Sequence, residues 1–172
     1  MAEFRANAKG EFHLIEDGAS HIFRCALGQA GLKSALEKRE GDGASPIGFW
    51  PFRHVFYRAD RLEKPVTDLP VTALQADDGW CDAPENHQYN KAVKLPYPAS
   101  HERLWRSDAV YDLIIVLGFN DEPVISGRGS AIFLHLARET YTPTRGCIAL
   151  NLTDMKTVLS HAGPQQGLRI SP

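Results

Sequence analysis

The chain has 172 residues, 43% of them hydrophobic, and a formal net charge of −2. That length suits one domain of roughly 100–200 residues with a real core, and the near-neutral balance excludes the global basic field that gathers nucleic acid. The longest apolar run, Leu113–Leu117, is far short of the ~18 residues that span a bilayer, so no integral membrane segment is expected.

In chain order, residues 1–10 mix Glu3, Arg5 and Lys9 with small residues and lack the apolar stretch of a secretory signal. Residues 12–15 and 21–27 read as two strands joined by a turn at Asp17-Gly18. Residues 31–39 suggest a turn or two of helix. Residues 53–58 carry Val55, Phe56 and Tyr57 and suit a strand, and 71–74 suit a shorter one. The Pro-rich stretch 77–100 reads as an ordered surface loop, followed by a helical turn or two over 100–106. Residues 112–119 hold a continuous β-branched run, the pattern of a strand buried on both faces. Residues 131–136 and 147–150 read as further core strands. Leu152, Met155, Val158 and Leu159 share one helical face, with Asn151 or Thr153 as cap. Residues 168–170 close the sheet. No repeat, linker or low-complexity tract divides the chain. The expectation is a single, mainly β domain over residues 1–172, with one or two short helices.

Cysteines are sparse: Cys25, Cys81 and Cys147. An odd count leaves at least one thiol unpaired, and no CxxC pair suggests a metal. For Cys81 the readings are burial or a bond to Cys25. His54, His87 and His101 lack the paired spacing of metal ligands, so neither metal nor other cofactor is expected.

Two segments carry chemistry. One runs Gly127-Arg-Gly-Ser-Ala-Ile-Phe-Leu-His135, the other Thr142-Pro-Thr-Arg-Gly-Cys147-Ile-Ala-Leu. If the two strands pair, His135 and Cys147 can meet. A thiolate is the nucleophile of cysteine catalysis, and an adjacent imidazole supplies its base. Gly146 lets backbone N–H groups approach a substrate carbonyl, as an oxyanion hole requires. Taken alone, the pair reads first as a small buried hydrophobe at Cys147 and a satisfied strand histidine at His135.

The Thr-Arg-Gly-Cys147-apolar run, preceded by a strand ending in His135, resembles the signature of the L,D-transpeptidase (YkuD) family. Ser45-Pro46-Ile-Gly48 is similar to another segment of that family. Asp78-Gly-Trp80-Cys81-Asp82, Tyr89-Asn90 and Tyr111-Asp112 resemble a compact proteobacterial branch. The departures are the short, twelve-position spacing from His135 to Cys147, Arg145 where many members have His, and Ala149 where Arg or Asn is common. The first of these suggests a trimmed lid and an open cleft.

The resemblance implies a β-sandwich or mixed-sheet domain that remodels peptidoglycan stem peptides at the periplasm or cell envelope, although this chain shows no signal peptide. Cys147 would form a thioester and His135 would move protons. The product would be a cross-link joining two diaminopimelate residues (3-3) or L-Ala to diaminopimelate (1-3). Alternatives are hydrolysis of the stem by the same Cys–His site, and a non-catalytic wall-binding module. Arg145, Thr144 and Ser130 are candidate substrate contacts, Arg145 through bidentate grip of a carboxylate. Trp80 and Tyr89 could wall the cleft or pin the long loop. The group orienting His135 and the oligomeric state are not named by the sequence.

Overall fold

The computed structural model describes residues 1–172. Its strands in chain order are β1 (Glu3–Asn7), β2 (Glu11–Glu16), β3 (Ala19–Arg24), β4 (Leu32–Ser34), β5 (Ser45–Tyr57), β6 (Val71–Ala73), β7 (Asp78–Cys81), β8 (Ala92–Lys94), β9 (His101–Arg103), β10 (Leu113–Leu117), β11 (Phe133–Leu136), β12 (Ile148–Leu150) and β13 (Gly167–Ser171); the single helix α1 is Leu152–His161. No helix is long and apolar enough to cross a membrane.

Ten strands form one mixed sheet in the order β12-β11-β10-β5-β13-β1-β2-β3, with β4 and β6 also paired to β5. The sheet curls until the chain beyond β3 meets β12. Ala26 and Ala149 exchange two backbone hydrogen bonds of 2.9 Å there, nearly closing a barrel. Asp17 and Gly18, both at positive φ, make the tight β2–β3 turn.

The barrel interior is filled by Phe4, Phe12, Leu14, Phe52, Val55, Leu113, Ile115, Leu134, Ile148, Leu150, Leu168 and Ile170. Helix α1 lays Met155, Val158 and Leu159, all fully buried, into the same core. Each such side chain contributes about 1.5–3 kcal/mol of burial. Asn151 is the helix cap, its side chain accepting from the Asp154 N–H at 2.9 Å.

Strand β10 is buried on both faces, as its composition implies. Leu113, Ile115 and Leu117 face the barrel core; Ile114 and Val116 face a second cluster outside it. What covers that outer face differs from the sequence reading. Residues 77–106 are not a bare loop with a helical turn after it. They fold into a three-stranded antiparallel sheet, β8-β7-β9, which caps β10 and β11. A segment laid on an apolar sheet must pair its own backbone groups, and short strands do so. Residues 31–39 likewise hold strand β4 and turns rather than helix.

Candidate active site

Strands β11 and β12 pair in parallel, with Leu134 opposite Ile148 and His135 opposite Ala149. Alternation sends Leu134, Leu136, Ile148 and Leu150 into the barrel. It leaves Phe133, His135 and Cys147 on the outer, capped face. Gly146 precedes the cysteine at φ +136°, and a Cβ there would lie 2.8 Å from the Ala44 carbonyl oxygen, so only glycine fits this turn. Ser45 fixes the same turn from β5, donating to Gly146 O at 2.7 Å and accepting from Gly28 N at 2.9 Å.

The Cys147 thiol donates to Ala131 O at 3.1 Å, and its Sγ accepts from Phe133 N at 3.4 Å. His135 Nδ1 lies 3.0 Å from Leu136 O. A carbonyl only accepts, so Nδ1 carries the proton and Nε2 presents a free lone pair. This backbone carbonyl is the orienting group that the sequence left unnamed. Tyr111 borders both side chains: its ring stands edge-on to the His135 imidazole at 5.3 Å, and it shares an apolar cluster with Cys147 and Phe133. The Tyr111 hydroxyl donates to Glu102 of β9.

The cleft is not open. Cys147 is 8% exposed and His135 6%. The cap sheet covers the pair, in place of the open cleft expected from the short His135–Cys147 spacing. Burial has an electrostatic consequence. It pushes the Cys147 thiol up to about 12, with the Glu102 carboxylate adding to the effect. Burial pulls the His135 imidazole down to about 4, against its bond to Leu136, and the Arg106 and Arg138 cations lower it further. At neutral pH the resting pair is therefore thiol plus neutral imidazole. A cavity of about 300 Å³ runs along the same face under the cap edge, lined by Phe56, Trp80, Val116 and Phe133 with Asn90 and Lys91.

The remaining sequence candidates divide by placement. Thr144 shapes the cysteine turn, its hydroxyl donating to Cys147 O at 2.6 Å and accepting from Gly146 N at 3.0 Å. Ser130 is buried beside Ala131, and its Oγ has no partner within the chain. Arg145 is exposed at the site edge, close enough to favour the Glu102 carboxylate. Trp80 and Tyr89 are buried and engaged with the protein: the indole N–H donates to Asn90, and the Tyr89 hydroxyl donates to Glu40 and accepts from Gly129 N. Cys25 and Cys81 are free and buried, so burial is the reading that holds for Cys81. Sequence reasoning gave no role to Tyr111, Glu102, Ala131 or Lys38. Lys38 forms a buried ion pair with Asp42 at 2.7 Å and favours the Cys147 thiolate. Tyr111 did lie inside a segment that carried the resemblance.

A family model described as the L,D-transpeptidase catalytic domain (YkuD) matches residues 7–167. No curated protein matches the chain. Among solved structures, it is similar to L,D-transpeptidase 1 of Mycobacterium tuberculosis, with 10% identity and a TM-score of 0.46. That likeness covers 98% of this chain and 60% of the mycobacterial one, so the chain spans less than two thirds of that protein's length.

Proposed function

The chain belongs to the L,D-transpeptidase (YkuD) catalytic-domain family, and from that premise we propose that it is a cysteine acyltransferase that cross-links peptidoglycan stem peptides at the cell envelope. The observation that carries the reading is the placement of Cys147 and His135 on one capped sheet face, both bordering Tyr111, with His135 Nδ1 held by Leu136 O.

A neutral pair dictates the order of proton movement. His135 Nε2 takes the thiol proton as Cys147 Sγ attacks the carbonyl carbon of an L-centre whose amide nitrogen belongs to a D-residue. The Gly146 N–H is already held by Thr144, which leaves the Cys147 N–H as the donor of that pair for the developing oxyanion. The C–N bond breaks, the departing amine takes the proton from Nε2, and a Cys147 thioester remains. An acceptor amine attacks the thioester, gives its proton to Nε2, and expels the thiolate, which recovers that proton. Arg145 at the rim grips a stem carboxylate. The cap favours an amine acceptor over hydrolysis, because a site this buried admits little bulk water.

The test is mass spectrometry of muropeptides after incubation with the purified chain. A 3-3 or 1-3 cross-linked product supports the reading, and the mass and fragmentation tell which. Shortened stems without cross-links would favour hydrolysis. Cys147→Ala is expected to abolish product while leaving the circular dichroism and unfolding midpoint near those of the parent. Cys25→Ala and Cys81→Ala should keep substantial turnover. A Cys147→Ala protein that still turns over would remove the thiol from the mechanism.

A further inference from the structure

Asn90 lies between the cap and the barrel, 7% exposed and at φ +56°, a left-handed conformation that asparagine tolerates better than most residues. Its amide uses every bonding position it has. Oδ1 accepts from Trp80 Nε1 at 3.0 Å and from Ala131 N at 3.0 Å. Nδ2 donates to Phe119 O at 3.0 Å and to Asn120 O at 2.8 Å. Two donors on one side and two carbonyls on the other fix which end is oxygen. Aspartate would offer no donor and glutamine would be a methylene too long, so this arrangement selects asparagine.

The partners belong to three different parts of the molecule. Trp80 is in the cap strand β7, residues 119–120 follow β10, and Ala131 precedes β11. Ala131 itself is held at φ +53°, an uncommon conformation for a residue with a Cβ. Its carbonyl is the group that the Cys147 thiol faces at 3.1 Å. The Asn90 oxygen therefore grips the cap and the turn beside the nucleophile at once.

We propose that Asn90 is a positioning residue that couples seating of the cap to the backbone turn at Ala131, so that the thiol is held for reaction only when the cap is down. The proposal rests on reading Cys147 as the nucleophile, and it assigns no contact between Asn90 and substrate.

Steady-state turnover of stem peptides, measured with the full chain below its unfolding temperature, separates positioning from mere stability. Asn90→Ala loses all four bonds, and Asn90→Asp sets a carboxylate oxygen against the Phe119 and Asn120 carbonyls in place of the two donated bonds. Ile170→Val removes core packing in β13 and none of these bonds. All three variants should unfold at a lower temperature than the parent. The expected result is a fall of at least tenfold in kcat for Asn90→Ala and Asn90→Asp, with KM within threefold, and a kcat within threefold of the parent for Ile170→Val. The proposal is overturned if Asn90→Ala keeps kcat within threefold, or if Ile170→Val falls as far as Asn90→Ala. If Asn90→Ala does not fold, Asn90→Asp beside Ile170→Val decides: near-parent kcat in Asn90→Asp refutes the proposal, and a tenfold loss beside an active Ile170→Val sustains it. Cys147→Ala in the same assay keeps the two readings apart. Residual turnover there removes the nucleophile, whereas an inactive Cys147→Ala beside a fully active Asn90→Ala removes only the role of Asn90.

Discussion

A histidine that accepts a proton is useful when it is neutral at the working pH, and burial secures this for His135. Its imidazole protonates at about 4 in the folded chain, against about 6.5 in an unfolded one. As pH falls, the unfolded chain binds this proton first, so His135 contributes stability that is present above pH 6.5 and lost on the way down to pH 4. The loss between pH 7 and pH 4.5 is about 2–3 kcal/mol from this residue. Cys147 works in the opposite direction. Its thiol is raised to about 12, so its contribution is present below about pH 9 and lost as pH rises toward 12. Urea unfolding should therefore show greatest stability between about pH 6.5 and 9. In His135→Gln the decline between pH 7 and 4.5 should be smaller by the stated amount. Parallel declines in parent and variant would mean that the imidazole is not held neutral by its surroundings.

At the scale of elements, the cap sheet decides what reaches the thiol. Tyr89 pins it to the barrel side, through Glu40 and the Gly129 N–H. Tyr89→Phe leaves the buried Gly129 N–H unsatisfied, at a cost of about 1–3 kcal/mol, and releases the half-buried Glu40 carboxylate to water, and most of that cost falls on cap seating. Labelling of Cys147 by iodoacetamide, followed by peptide mass mapping, should be slow in the parent and about tenfold faster in the variant, since about 1.4 kcal/mol of opening energy is a factor of ten. An unchanged rate with a lowered unfolding midpoint would place the pin elsewhere. The cap was also the least legible part of the sequence. Its strands are three or four residues long and carry polar side chains such as Asp78, Lys94 and Glu102, so they show no run that pattern can find. β10 was legible because both its faces are apolar. β5 was read only from Arg53 onward, because Pro46, Gly48 and Pro51 break the strand pattern over its first half. β1 offered just Phe4 and Ala6 among charged neighbours. Cys147 and His135 could be picked out because they share a local motif. Tyr111 and Asn90 lay in segments that carried the resemblance, but their partners, like those of Glu102, could not be read, because they meet only when the cap folds back over β11.

Across the whole molecule, the last strand completes the sheet from its middle. β13 lies between β5 and β1, with Leu168 and Ile170 fully buried in the core. Deleting residues 167–172 strips both neighbours of their partner and opens the core to water. The shortened chain should lose its cooperative thermal transition by circular dichroism; a retained transition within a few degrees of the parent would show that β13 is dispensable. The same strand has a mechanical consequence. β1 and β13 run parallel, Phe4 beside Leu168 and Asn7 beside Ser171, so the two ends of the chain leave their shared ladder in opposite directions. Traction on both ends then slides one strand along the other and loads all their cross-links together, instead of peeling them one at a time. β12, beside the thiol, is four strands from β13 on one side and, across the closure at Ala26, lies beyond β2 and β3 from β1 on the other. A domain stretched from its ends would carry the tension along one seam while the geometry around Cys147 stayed slack.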